Sequence, residues 1–184
     1  MIFKKLDLVL PPLDFELIKG DPYDAYGTEF FAFHINDKDY LEQILKDRIK
    51  FNISPDIVTY NEVPNGTSAH SHKHNEISLN YYINSSIGSA TLFFEPKISA
   101  AEVDLGRILP DGSVTESTIV NYNIAQLKLI DKFCARSGDA YLLDVGQVHA
   151  VARLYKTTRK ILRWLWFGYT IEEILESIEI LPQT

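Results

Sequence analysis

From Phe51 onward, apolar residues recur at every second position in short runs rich in Val, Ile, Tyr and Phe, and Pro, Gly, Asn or Ser bounds each run. This pattern predicts strands over 57–62, 76–83, 90–95, 114–120, 125–133, 140–144, 148–154 and 159–168. Parallel strands need helical crossovers, and no helix-period segment separates these runs, so they are expected to pair antiparallel in a sandwich or barrel. Upstream the picture is less regular. Pro11, Pro12, Gly20, Pro22 and Gly27 break residues 1–36 into irregular structure and short strands, with FFAFHI (30–35) as one strand. Tyr40, Leu41, Ile44, Leu45 and Arg48 then recur at three and four residues, which predicts a helix over 39–49 with Asp37 or Asp39 accepting the N–H groups of its first turn. A short amphipathic helix is expected over 171–182. The chain reads as one domain, 1–184: N-terminal strands and helix (1–50), a β core (51–169) and a C-terminal helix (170–184). The segment 96–113, with two prolines and two glycines, reads as a long surface connection in preference to a lid.

Composition narrows the functional classes. A chain of 184 residues with 46% hydrophobic positions buries about 70% of the surface its unfolded form exposes, enough for a core without disulfides. It carries 18 basic and 25 acidic residues, a net charge of −7, which disfavours nucleic acid as a partner. The five basic residues between Arg153 and Arg163 alternate along a predicted strand and do not form one solvated face. No uncharged apolar run reaches the ~18 residues of a membrane span. The opening MIFKKLDLVL is interrupted by Asp7 and followed by Pro11 and Pro12, unlike a secretory signal. The single cysteine, Cys134, reads as a small core residue, and its isolation points to a reducing, cytoplasmic setting. The expected partner is a small-molecule or side-chain substrate, with no membrane; a homodimer is left open.

Histidine use is uneven: of five, His70, His72 and His74 fall within five residues. On an extended backbone His70 and His72 point to one face and could bind one ion, His74 shares their parity, and Glu76 could add an oxygen. An exposed polar loop is the competing reading. On the strand over 76–83, Asn80 and Tyr82 share a face and could line a pocket, although tyrosine also packs at such positions. On the last strand Arg159, Ile161, Arg163, Leu165 and Phe167 share one face, and Lys160, Leu162, Trp164 and Trp166 the other. Both faces are bulky, which predicts a buried central strand, and two arginines there require an anion or a carboxylate partner. If residues 148–168 form a hairpin, Arg159 faces the same side as His149 only with an odd loop or a bulge.

Two spaced motifs carry a family resemblance. His70-x-His72, three residues, then Glu76 resembles the first motif of cupins; Gly138, five residues, Asp144-x-Gly146, two residues, then His149 resembles the second, with Asp144 in place of proline. The resemblance covers roughly residues 50–168 and implies a double-stranded β-helix, a jelly roll.

The chain also resembles the Fe(II)/2-oxoglutarate oxygenases built on that fold, in the strands SLNYYI and ATLFFE and in the ten residues from His149 to Arg159. This implies a divalent metal, Fe(II), held by His70, His72 and His149 with Glu76 as a further donor. Histidine stands at position 72, where those enzymes carry a carboxylate, and His74 is an alternative to His70. The resemblance further implies 2-oxoglutarate as co-substrate, its distal carboxylate on the guanidinium fork of Arg159, with Arg163, Asn80 and Tyr82 around it. The leading expectation is therefore a metal-dependent dioxygenase oxidising a substrate not specified by the sequence. The alternatives are a cupin-like metal-binding protein or isomerase that uses Glu76 and no 2-oxoglutarate, and a metal-free interaction protein.

Overall fold

The computed structural model describes residues 1–23, 31–64, 66–72, 76–84, 89–97, 107–108, 114–115, 119–152 and 158–182. Two antiparallel sheets dominate it. The larger runs Phe3–Leu6, Ala140–Asp144, Glu76–Asn84, Arg159–Phe167, Ile57–Val63, Phe31–Ile35, Lys19–Tyr23; the smaller runs Ile119–Asn121, Thr67–His72, His149–Ala152, Ala90–Pro96, Leu127–Phe133. Between Ile57 and Phe167, leaving aside the short edge strand Ile119–Asn121 and the pair Arg107–Ile108 and Val114–Thr115, eight strands wind between the two sheets. Numbered in chain order, four lie 1-8-3-6 in the large sheet and four 2-7-4-5 in the small one, the strand order of a jelly roll. The protein is thus a cupin-like antiparallel β-sandwich.

One of those eight differs from expectation. Thr67–His72 is a core strand, yet its inward positions are histidines, so no apolar alternation marks it. The run predicted over 114–120 is not among the eight: Val114–Thr115 pairs with Arg107–Ile108, Ile119–Asn121 joins the edge beside Thr67–His72, and 116–118 lie outside the described residues. Most of the expected surface connection over 96–113 and residue His74 also lie outside them.

The large sheet is covered on both faces. Its central strands divide their side chains by parity. Ile77, Leu79, Tyr81, Leu142, Leu162, Trp164 and Trp166 enter a core packed by Leu8, Leu10, Ile18, Leu41 and Ile174 from the N-terminal segment and the helices. The alternate positions, Tyr82, Tyr141, Leu143 and Ile161, meet Phe93 of the small sheet in a second core. Phe133 stacks on Tyr141 at a centroid distance of 4.0 Å in this inner layer. Trp166 is fully buried and donates from its indole to the Ile53 carbonyl at 3.0 Å.

The helices are short. Asp37 caps Lys38–Leu45 by accepting the Tyr40 N–H, and the chain then turns into the strand Ile49–Phe51, so the helix expected over 39–49 stops at Leu45. A reciprocal capping box of Thr170 and Glu173 opens the helix Ile171–Ser177. The helix expected over 171–182 ends at Ser177 because Ile178–Ile180 extends and pairs with Ile49–Phe51. Cys134 is exposed, which overturns its reading as a core residue. Among the described residues no helix is long and apolar enough to cross a membrane.

Candidate metal centre

The facing layers of the two sheets enclose a cavity of about 80 Å³ lined by His70, His72 and His149 from the small sheet and by Asn61, Asn80, Tyr82, Arg159 and Arg163 from the large one. That is several times the roughly 10–15 Å³ a cavity needs to admit one water.

Local geometry aims the three imidazoles. His70 and His149 sit opposite each other on neighbouring strands, and His72 follows His70 with the same parity. Ring centroids are 4.3 Å apart for His70 and His149, 5.6 Å for His70 and His72, and 5.7 Å for His72 and His149. Each Nδ1 meets an acceptor-only oxygen: the Ser68 carbonyl for His70 at 2.8 Å, the Gln147 carbonyl for His149 at 2.9 Å, and Glu76 Oε2 for His72 at 2.8 Å. Nδ1 therefore carries the proton in all three rings, and the lone pair lies on Nε2. One ligand atom from each ring falls in a group whose members all lie within 4.8 Å of one another, and this group could hold a metal ion. Burial, followed by the neighbouring His70 and His72, pushes the His149 imidazole well below its usual pKa, so it stays neutral and able to donate.

Glu76 lies outside that group of ligand atoms. Its Oε2 takes the His72 proton and its Oε1 takes Arg163 Nη2 at 2.8 Å. Burial alone would raise its pKa; the His72 hydrogen bond and the Arg163 guanidinium outweigh that and hold the carboxyl below its usual range. Arg163 also donates from Nε to Ser78 Oγ at 2.9 Å, and Ser78 donates to Asn80 Oδ1 at 2.7 Å. The spacing from His72 to Glu76 was legible in the sequence; the partnership with Arg163, 87 residues away, was not.

Arg159 faces the same cavity and is only 1% exposed. Its two terminal nitrogens share one acceptor, Thr91 Oγ1, at 3.2 and 3.3 Å, and its guanidinium lies over the Tyr82 ring at 4.4 Å. Its Nε has no partner, and no carboxylate pairs with it among the described residues. Thr91 was not singled out from sequence; a threonine inside an apolar strand is its only signal. The hairpin condition on Arg159 does not apply, because His149–Ala152 and Arg159–Phe167 belong to opposite sheets and face each other across the cavity. His34, away from this cluster, is exposed on its strand.

No protein-family model and no curated protein sequence matches the chain. Among solved structures, HygX from Streptomyces hygroscopicus with nickel and 2-oxoglutarate bound is 11% identical, with a TM-score of 0.41 over 79% of this chain and 72% of that one. A protein described as a predicted oxalate decarboxylase from Thermotoga maritima is 13% identical, TM-score 0.39, over 87% of this chain and 99% of that one. Escherichia coli ycfD is 9% identical, TM-score 0.46, over 96% of this chain and 52% of that one. At such scores these likenesses add nothing to what the strand order already establishes.

Proposed function

We propose that this chain is a double-stranded β-helix metalloenzyme of the non-haem dioxygenase type, with one divalent metal, Fe(II), on His70, His72 and His149 and with 2-oxoglutarate as co-substrate. The observation that carries the reading is Arg159: a buried guanidinium with an unpartnered Nε and no carboxylate partner among the described residues, in the cavity that the three imidazoles share. Such a charge is costly unless an anion enters, and a planar fork suits a carboxylate. The donor set fits the metal, since three neutral imidazoles with Nδ1 held by hydrogen bonds are borderline donors that suit iron, nickel, copper or zinc. When bound, the metal would supply oxygen activation at coordination positions not taken by protein.

The chain's own residues then have assigned tasks. Arg159 anchors the carboxylate, Tyr82 backs the guanidinium and Thr91 orients it. Phe93, Leu143, Val145 and Ile161 keep the inner layer apolar, so charges inside interact more strongly than in water. Arg163 is already committed to Glu76 and leaves Arg159 as the anchor. The lone cysteine fits a reducing, cytoplasmic setting.

The second reading, a cupin-like metal-binding protein or isomerase in which Glu76 joins the three histidines and no 2-oxoglutarate is used, is weakened by the place of Glu76 outside the grouped donors. Anaerobic titration decides between them. The dioxygenase reading expects 2-oxoglutarate to bind only with Fe(II) present and to lose that binding in His149→Ala. Stoichiometric metal without 2-oxoglutarate binding would leave the second reading; no stoichiometric metal in tag-free protein would remove both.

A further inference from the structure

Three imidazoles bring no charge to a divalent ion. Two of them, His70 and His149, give their Nδ1 protons to neutral main-chain carbonyls, but His72 gives its proton to a buried carboxylate. That carboxylate is itself fixed, with Oε1 on Arg163 and the Arg163 Nε on Ser78. We propose that Glu76 is a positioning residue whose carboxylate, accepting from Nδ1 of His72, strengthens and orients that ring as a metal donor, and that Arg163 and Ser78 hold it in place for that task. This inference rests on the metal-site reading above and assigns Glu76 a role one imidazole removed from the metal.

A carboxylate on Nδ1–H raises the electron density at Nε2 of the same ring and fixes the ring plane, so His72 becomes the strongest donor of the three. Direct ligation is disfavoured because both oxygens are engaged and Glu76 is absent from the group of close ligand atoms. A purely structural ion pair is the rival explanation. The strands carrying Glu76 and Arg163 are already ladder neighbours from Lys160 to Phe167, so they need no ion pair to hold them together. The polar chain also runs along the cavity face through Ser78 to Asn80, where a structural tie could as well be apolar.

The test uses the full chain and Co(II) as the probe, titrated against a competing chelator with the visible spectrum recorded. Glu76→Gln keeps an oxygen acceptor for the His72 proton and removes the charge. Because that change alone leaves Arg163 without its anion, the same substitution is also made in an Arg163→Met background, where no cation is orphaned and folding is protected. In both backgrounds Glu76→Gln is expected to weaken Co(II) binding about 10- to 100-fold and to shift the cobalt absorption bands. Unchanged affinity and an unchanged spectrum in the Arg163→Met/Glu76→Gln protein, compared with Arg163→Met, would overturn the proposal. A wild-type chain that fails to bind Co(II) would overturn the metal-site reading and this inference together.

Discussion

Replacing Arg159 with methionine should make the ligand-free protein more stable while it loses carboxylate binding. Arg159 is 1% exposed, and its compensation consists of one shared hydroxyl acceptor and the face of Tyr82. Taking such an ion out of water costs several kcal/mol. The aromatic face returns about 2 kcal/mol, and the hydrogen bonds to Thr91 about 1–1.5 kcal/mol. The balance leaves Arg159 costing the empty fold roughly 1–3 kcal/mol, and a methionine of similar reach removes that cost without opening a cavity. For a chain of this size about 2–4 °C accompanies each kcal/mol, so Tm should rise by roughly 2–12 °C. Binding moves the other way. Losing one partner of a buried, hydrogen-bonded charge pair costs about 2–5 kcal/mol, which weakens 2-oxoglutarate roughly 30- to 5,000-fold. Melting curves with and without 2-oxoglutarate, under anaerobic Fe(II), measure both quantities on one sample. A variant that melts at or below the wild-type temperature would show that the fold already neutralises Arg159, and unchanged 2-oxoglutarate binding would place the anchor elsewhere; either result refutes the reasoning.

Two further outcomes follow from the same geometry. His149 is held neutral, with its pKa depressed by burial and its two neighbours, so below about pH 6.5 the unfolded chain takes up a proton that the folded chain refuses. Metal-stripped protein should therefore lose up to about 1.4 kcal/mol of stability per pH unit as pH falls below that value; urea titrations at pH 7.5 and 5.5 that give the same slope for wild type and His149→Gln would contradict this. At Gly20, beside the irregularity where Lys19–Tyr23 pairs with Phe31–Ile35, an added Cβ would lie 2.9 Å from the His34 carbonyl oxygen and 3.2 Å from the Asn36 nitrogen. Both obstacles are backbone, so Gly20→Ala should cost about 1–3 kcal/mol, and a Tm equal to wild type would show that the edge strand yields freely.

What the sequence carried, and what it hid, follows from the range of each interaction. Strands with strong apolar content, alternating in Glu76–Asn84 and on both faces of Arg159–Phe167, could be read because burial is written into neighbouring positions. Thr67–His72 was absent from the predicted strands because its inward residues are the candidate ligands themselves, so the feature that makes the site also erases the usual pattern. The run Ile-Glu-Ile after Ser177 fits either a helix or a strand by period, and only its distant partner Ile49–Phe51 decides. Glu76 was recognised as a candidate from its spacing to His72, whereas its hold on Arg163 depends on two strands far apart in the chain. Arg159 was legible in kind, as a cation on an apolar strand. That no internal carboxylate meets it among the described residues needed coordinates.

The two-sided burial of the large sheet has a consequence for how this scaffold could diversify. Along Glu76–Asn84, residues 76, 78, 80 and 82 address the cavity or its support, while 77, 79 and 81 belong to the opposite core. Selection on chemistry and selection on folding thus act on alternate letters of the same segment. New ligands could be explored at Ser78 and Asn80 while the odd-numbered positions keep the sheet seated, with Tyr82 retained for its place in the second core and Glu76 for its ion pair with Arg163.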